Sequence, residues 1–220
     1  MAGAFEIRGL ASLLNLKHIA NGDIDLTDSG MDNMEYLYKV LYSEYSMRQD
    51  ERKKKILKES RLPLNKHFDD TLISDVLAAQ IDYLLDFDFN NNIRNVIIYG
   101  KSCTGKTSLA CEIGKNAIKN GAKVLYTTFT ELIDVYQSQK SPWRLIVNSD
   151  VVIIDDFLYL LPSEEEMLMF YKVISFLIES RSIIIVSNRD ISNWYDLGYD
   201  EYLMETIFAR LNNKSQQLHL

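Results

Sequence analysis

The chain has 220 residues, of which 47% are hydrophobic and 25% charged, and its formal net charge is −7. This composition excludes a disordered chain and allows one full domain plus a small appendage. No apolar run is long enough to span a membrane, no secretory signal opens the chain, and the cysteines Cys103 and Cys111 are too few for a disulfide framework. We therefore expect a cytoplasmic protein, whose negative charge confines any DNA contact to a local basic surface.

The first strong periodic pattern predicts a helix over residues 32–59, after a mixed segment that ends in an acidic run near Gly30. Its apolar stripe consists of Met34, Leu37, Tyr38, Leu41 and Tyr45. Its later turns are strongly basic, through Arg48, Arg52, Lys53, Lys54, Lys55, Lys58 and Arg61. This basic segment, taken as residues 48–66, is either a solvated helix face or a local surface for DNA phosphates or an acidic partner.

A second region follows Pro63, with a predicted linker at 64–70 and a helical pattern over 73–85. Apolar runs then alternate with helical patterns, which is typical of a parallel sheet with crossover helices. The predicted strands are 95–99, 123–128, 151–154, 182–187 and 216–220, the last being the weakest pattern. The predicted helices are 106–120, 130–137, 163–181 and 200–211, with Gly121 ending the first and a Ser163–Glu166 capping box opening the third.

These patterns divide the chain into an N-terminal helical region (1–62), a linker with a leading helix (63–94) and an α/β core (95–220). The core carries the residues with recognisable chemistry, because each of its candidate site residues follows a predicted strand or lies on a predicted helix. The role of residues 1–30 stays open at this point.

A glycine-rich loop, GKSCTGKT from Gly100 to Thr107, matches the Walker A pattern. Its glycines let backbone N–H groups point inward at phosphate oxygens, Lys106 reaches the β- and γ-phosphates of ATP, and the Thr107 hydroxyl coordinates Mg²⁺. A turn with an incidental lysine is disfavoured, because a strand runs into the loop and a helix leaves it. The predicted nucleotide-binding residues are Gly100, Lys101, Ser102, Cys103, Thr104, Gly105, Lys106, Thr107 and Ser108.

Polar residues also follow two of the predicted buried strands. Asp155 and Asp156 end an apolar run, where a carboxylate pair is costly unless a cation or water waits there. We expect Asp155 to hold Mg²⁺ through water and Asp156 to orient or activate the attacking water. Asn188 follows the next strand and is a candidate to hydrogen-bond that water or the γ-phosphate, although an asparagine there is also ordinary turn chemistry.

Four ordered blocks resemble the IstB/DnaC family of AAA+ ATPases, which contains transposition helpers and replicative helicase loaders. RLPLNK at 61–66 is similar to the LPxxK linker of the helpers, and DDFLYLLP at 155–162 is similar to their DELGYLP block. SNR at 187–189 with Trp194 resembles their SNRxxxxW segment, and IFARL at 207–211 resembles their ILDRL helix. The loader branch matches less well in the linker and around Trp194.

This resemblance implies a P-loop NTPase of the AAA+/ASCE type with a three-layer αβα fold, which the predicted strands complete with a five-stranded parallel sheet. As a departure from the family, we expect no C-terminal helical lid. The resemblance also implies that Asn188 is the sensor-1 residue and that Arg210 is an arginine finger, which completes the ATP site of the next subunit in a ring or filament on DNA. The chain departs from the helpers at Asp156, where they usually have glutamate, and at Ala209, where they have aspartate.

The leading hypothesis is an ATP-hydrolysing AAA+ protein that assembles on DNA and serves a transposase. The runner-up is a loader that holds a replicative helicase through its N-terminal helical region. A third hypothesis, motivated by Asp156, is an ATP-dependent binding switch with little hydrolysis. A small-molecule kinase is disfavoured, because no arginine-rich lid lies between the later strands.

Overall fold

The computed structural model describes residues 4–27, 30, 32–69, 73–138 and 142–220, which form two compact units, Met1–Lys55 and Ile56–Leu220. Asp70, the last residue of the predicted linker, and part of the acidic run before Gly30 lie outside the described residues. Within the described ranges, no helix has both the length and the apolarity that crossing a membrane requires.

The N-terminal unit is helical, and its helices are α1 (Ala4–Leu13), α2 (Lys17–Asn21) and most of α3 (Asn33–Glu59). A small core joins Ala11 and Ile19 of the first two helices to Val40 of α3. Buried Glu44 ties α3 to α2, because its carboxylate accepts the Ile19 backbone N–H at 2.8 Å. The helix predicted over 32–59 is thus confirmed, and two helices precede it.

The apolar stripe of α3 faces solvent in the single chain. Met34 is 73% exposed, and Tyr38 and Tyr45 are 68% and 59% exposed. The face that packs on α1 and α2 instead carries Val40 and Glu44. Periodicity identified an apolar face, but an exposed apolar face of this extent is typical of a surface that binds another molecule.

The second unit contains a five-stranded parallel sheet in the order β2-β3-β4-β1-β5. Its strands are β1 (Asn95–Tyr99), β2 (Val124–Thr128), β3 (Val151–Phe157), β4 (Ser182–Ser187) and β5 (Ser215–His219). Its helices after α3 are α4 (Asp75–Leu85), α5 (Lys106–Lys119), α6 (Phe129–Ser138), α7 (Pro142–Val147), α8 (Glu164–Leu177) and α9 (Glu201–Asn212). A short 3-10 helix, Ile191–Leu197, follows β4. The expected five-stranded parallel sheet is confirmed.

Side chains on the central strands alternate between two apolar cores, as the period of two in a strand requires. Ile97 and Ile185 pack on one face, against α6, α8 and α9. Val96 and Ile184 pack on the other face, against α4 and α5. Because helices cover both faces, the strands are apolar along their length, and the expected three-layer αβα arrangement is present.

Several boundaries differ from the predicted ones: the helix predicted over 163–181 ends at Leu177, and neither α7 nor the 3-10 helix was predicted. β3 continues past Ile154 to Phe157, with a register shift against β4 that carries the acidic pair inside the strand. Helix α8 begins after Ser163, whose side chain and that of Glu166 form the predicted capping box. Gly121, at φ +99°, follows the end of α5 and donates its N–H to the Ile118 carbonyl, as predicted for a helix terminator.

Candidate nucleotide-binding site

The glycine-rich loop connects β1 to α5 at the carboxyl edge of the sheet. Gly100 has φ +141°, and a Cβ there would lie 1.9 Å from the Leu220 carbonyl oxygen. The Leu220 N–H donates to the Tyr99 carbonyl at 2.9 Å, so the backbone of Leu220 closes over the first glycine. Gly105 has φ +87° and immediately precedes α5. Both glycines therefore have backbone conformations in which a residue with a Cβ would be strained.

Lys106 is buried inside this loop at 4% exposure. Its ammonium donates to the Lys101 carbonyl oxygen and, at 3.3 Å, to the Thr104 hydroxyl. Burial lowers the pKa of Lys106, and the negative charge of Asp155 opposes that shift. A buried cation held by neutral oxygens is a costly arrangement that an anion relieves. This is the arrangement expected of a phosphate-binding loop.

Asp155 is a buried carboxylate on β3, paired with Thr128 of β2 in the strand register. One of its oxygens accepts the Tyr126 hydroxyl at 2.6 Å, and the other accepts the Asp156 N–H at 2.8 Å. Burial and the Asp155 carboxylate raise the pKa of Tyr126, so this phenol stays a hydrogen-bond donor. Tyr126 was not predicted from the sequence, because its contact depends on the pairing of β2 with β3.

Asp156 points away from the core at the bulge in β3. Its φ of +56° lies in the left-handed region, which aspartate adopts more readily than most residues, and Leu158 follows at φ +60°. Partial burial and the neighbouring Asp155 raise the pKa of Asp156, whereas the positive charge of Lys66 lowers it. The left-handed backbone at this position is thus one that aspartate tolerates.

The tips of β3 and β4 are tied together beside this carboxylate. The Ser187 hydroxyl donates to the Phe157 carbonyl at 2.9 Å, and the Arg189 Nε donates to the Leu158 carbonyl at 2.7 Å. Buried Trp194 packs its ring against Phe157, with the ring centroids 5.0 Å apart. These contacts fix the turn that carries Asn188 next to the end of β3.

A cavity of about 610 Å³ gathers the loop and the two strand tips. It is lined by Lys66, Ser102, Cys103, Thr104, Gly105, Lys106, Thr107, Ser108, Asp156, Tyr159 and Asn188. Lys66 and Tyr159 were not among the predicted site residues. Of the predicted residues, all of them described, Gly100, Lys101, Asp155 and Arg210 do not line this cavity. A second cavity of about 640 Å³, lined in part by His67, Leu77 and His219, meets the same loop at Cys103–Gly105.

Arg210 lies on α9 and is engaged within its own chain. Its guanidinium sits over the Tyr171 ring, 5.0 Å from the centroid, and its Nη2 is 3.3 Å from the Tyr171 hydroxyl. The structure therefore does not bring Arg210 together with the loop of the same chain.

The donor set suits a magnesium ion that is held largely by its nucleotide. The Thr107 hydroxyl and the Asp155 carboxylate are hard oxygen donors, and Mg²⁺ usually takes one or two such protein ligands beside phosphates and water. Across the described part of the chain, no cluster of three His, Cys, Asp or Glu residues forms a metal site by itself. The residues present fit Mg²⁺ bound together with a phosphate.

Comparison with known proteins gives a family match over almost the whole chain. A family model described as "IstB-like ATP binding protein" matches residues 9–220. A protein named for ATP binding in insertion sequence IS21 of Pseudomonas aeruginosa is 28% identical, over 98% of this chain and 86% of its own length. A similarly named protein of insertion sequence IS5376 from Geobacillus stearothermophilus is 29% identical, over 82% of this chain and 76% of its own.

Solved structures share the fold at lower identity. The DnaC helicase loader superposes with a TM-score of 0.56 at 18% identity, over 71% of this chain and 97% of that one. AMPPCP-bound DnaA from Aquifex aeolicus superposes with a TM-score of 0.54 at 19% identity, over 72% of this chain and 51% of that one. The likeness concerns the fold, and it agrees with the expected three-layer αβα architecture around a five-stranded parallel sheet.

Proposed function

The chain belongs to the family of IstB-like ATP-binding proteins, and from that membership we propose that it binds and hydrolyses ATP with Mg²⁺ and assembles on DNA as an accessory of a transposase. The observation that carries the proposal is the buried ammonium of Lys106, enclosed by a glycine-rich loop that shares one cavity with Asp156 and Asn188. The names of the two relatives from insertion sequences support the transposition role.

The binding step follows from the loop. Lys106 and the backbone N–H groups of Ser102–Thr107 hold the phosphates, and the positive end of α5 adds to their field. The Thr107 hydroxyl and, through water, the Asp155 carboxylate hold Mg²⁺, which neutralises charge on the phosphates when bound. The second cavity, which is also lined by Cys103–Gly105, is large enough for the base and sugar.

The hydrolytic step needs a placed water. Asp156 accepts a proton or hydrogen bond from this water, Asn188 orients it, and Tyr126 holds the Asp155 carboxylate in its orientation. Arg210 acts on the site of a neighbouring subunit, where its positive charge stabilises the transferring phosphoryl group. This role fits the position of Arg210 on α9, outside the cavity of its own chain.

Two partners are proposed for the remaining surfaces. The basic turns of α3 contact DNA phosphates, and the exposed apolar stripe of the same helix contacts the transposase. The chain self-associates into a ring or filament. A replicative helicase as partner is the runner-up, but the likeness to the DnaC loader rests on fold at 18% identity, whereas the relatives with wide coverage come from insertion sequences.

One observation favours the third hypothesis, an ATP-dependent switch with little hydrolysis. Asp156 is one methylene shorter than the glutamate of the resembling block, and a displacement of about 1 Å in a catalytic group is enough to slow chemistry by roughly 100-fold. ATP binding is common to all of these functions, so it is tested first.

We expect Lys106→Ala to weaken binding of Mg-ATP by roughly 10- to 100-fold, because a charge-assisted hydrogen bond to phosphate contributes about 1.5–3 kcal/mol. Isothermal titration calorimetry of the full chain measures this. Lys119→Ala, at the exposed far end of α5, is the matched control and should bind as the wild type does. Undiminished binding by Lys106→Ala, or no binding by the wild type, contradicts the proposed function.

A further inference from the structure

We call the cavity of about 610 Å³ between the glycine-rich loop and the strand tips the nucleotide cavity. Lys66 lines it although Lys66 belongs to the basic segment 48–66, a candidate surface for DNA phosphates. It lies there with Asp156 and the residues of the glycine-rich loop, Ser102 to Ser108. Contact with DNA, which is proposed for the lysines on α3, does not explain this position. A lysine that lines this cavity is placed to contact the ligand of the glycine-rich loop.

The segment around Lys66 is fixed to α5 at three points. The Leu62 side chain packs 3.2 Å from the place where a Cβ on Gly114 would lie. The ammonium of Lys115 donates to the Lys66 carbonyl oxygen at 2.6 Å. The Phe68 ring lies 3.4 Å from the place where a Cβ on Gly105 would be. Two of these points are at glycines: Leu62 packs tightly at Gly114, and Phe68 lies within van der Waals distance at Gly105.

The turn itself is also hydrogen-bonded, because the Lys66 N–H donates to the Pro63 carbonyl at 3.2 Å. The backbone of Lys66 is thus held against the same helix whose first turn carries Lys106 and Thr107. Lys66 is exposed and lines the cavity. A fixed backbone with an accessible charged tip is the arrangement of a ligand-binding lysine, since little backbone entropy is lost on binding.

The cavity contains two lysines, Lys106 and Lys66, which lie in different surroundings. Lys106 donates to two oxygens of its own loop, whereas Lys66 lines the cavity together with Asp156, Tyr159 and Asn188. The carboxylate edge of a P-loop site is where the terminal phosphate and the attacking water meet. The terminal phosphate is also the group that ATP has and ADP lacks.

We propose that Lys66 binds the terminal phosphate of ATP, so that this chain discriminates ATP from ADP through a lysine supplied by the segment before the sheet. The inference rests on the proposed function, because it places the residue in the same ATP site. It removes Lys66 from the DNA-contacting set and leaves the lysines of α3 in it.

The test compares affinities for AMPPCP and ADP, each with Mg²⁺, by calorimetry on the full chain. Lys66→Ala should weaken AMPPCP binding by roughly 10- to 100-fold, as for loss of one charge-assisted hydrogen bond, and ADP binding by less than about threefold. Lys66→Arg should restore most of the AMPPCP affinity. Retained ADP binding serves as the check on folding, and Lys66→Gln, which keeps the side-chain length, replaces the alanine variant if the latter is unstable.

Lys54→Ala is the matched control, since Lys54 is an exposed lysine of the same basic segment on α3. It should leave both nucleotide affinities unchanged. The inference is overturned if Lys66→Ala binds AMPPCP as the wild type does, if it loses AMPPCP and ADP equally, or if only the hydrolysis rate falls, which would make Lys66 a positioning residue for Asp156. Failure of the proposed function is distinct, because the wild type would then bind neither nucleotide.

Discussion

The two cysteines, Cys103 in the glycine-rich loop and Cys111 on α5, differ sharply in exposure. Cys103 is exposed and lines the nucleotide cavity, whereas Cys111 is buried in the core on α5. Burial raises the pKa of the Cys111 thiol to about 11. Since only the thiolate reacts with alkylating reagents, both the raised pKa and the burial of Cys111 slow its reaction at pH 8.

We therefore predict that iodoacetamide modifies Cys103 and spares Cys111 in the folded chain. Mg-ATP should protect Cys103, because the proposed phosphates occupy the cavity that the thiol lines. Peptide mass spectrometry of labelled protein, with and without nucleotide, measures both effects. Denatured protein, in which both cysteines react, is the control. If iodoacetamide labels Cys103 as fast with saturating ATP as without it, the nucleotide does not bind in this cavity.

The carboxylate pair shows how one residue acquires a role through its neighbours. Asp155 and Asp156 are adjacent in sequence and chemically identical. The buried one is held by Tyr126 and by a backbone N–H, and the other is turned into the cavity by a positive φ. The sequence predicted different functions for the two carboxylates, and the strand geometry supplies the physical basis for that difference.

Among the secondary-structure elements, α3 combines the most contrasting surfaces. Its basic turns include exposed Lys53, Lys54 and Lys55. Arg48, in contrast, donates to buried Glu44 at 2.7 Å, so part of its charge is used inside the N-terminal unit. Their exposure makes Lys53, Lys54 and Lys55 candidates for contacts with DNA phosphates.

Replacing Lys53, Lys54 and Lys55 with glutamate should weaken DNA binding and reduce the slope of log affinity against log salt by about 3, because each duplex phosphate that a lysine neutralises adds about 0.9 to that slope. Fluorescence anisotropy over a salt series measures this. In a control variant with the same change in net charge, glutamate replaces the exposed lysines Lys119, Lys123 and Lys172 of the second unit. An equal loss of affinity in both variants would indicate a general charge effect, and an unchanged slope would remove α3 from the DNA surface.

At the scale of the whole molecule, the proposed catalytic role of Arg210 requires a second copy of the chain. Arg210 packs on Tyr171 and does not line the cavity of its own chain, so a catalytic role requires another subunit's site. A head-to-tail interface, in which each subunit completes the next, builds a ring or a filament. Hydrolysis should then depend on assembly.

We predict that Lys106→Ala and Arg210→Ala are each inactive as ATPases with DNA present, and that their mixture regains activity. In a randomly mixed head-to-tail assembly, about a quarter of the sites combine an intact loop with an intact arginine. Phosphate release measures turnover, and light scattering checks that both variants assemble. Assembly without recovery would contradict the role of Arg210, and a wild type that assembles but does not turn over ATP would favour the switch.

The sequence by itself determined the local chemistry. Three features depend on residues that are close together in the sequence, and they could therefore be predicted from it. They are the loop from Gly100 to Thr107, the capping box at Ser163 and the alternation of strands and helices. The order of the sheet was not predictable in this way, because strand pairing joins residues far apart in the chain. The fold class was nevertheless predicted correctly, since buried parallel strands leave a continuous apolar signal.

Only the tertiary structure decided which distant residues meet. It brought Lys66 into the nucleotide cavity, put Tyr126 on Asp155 and left the apolar stripe of α3 exposed. Each of these outcomes depends on how a segment packs against elements elsewhere in the chain, and such packing leaves no periodic or compositional trace. The loop chemistry is thus local, whereas the charge distribution around it is set by the fold.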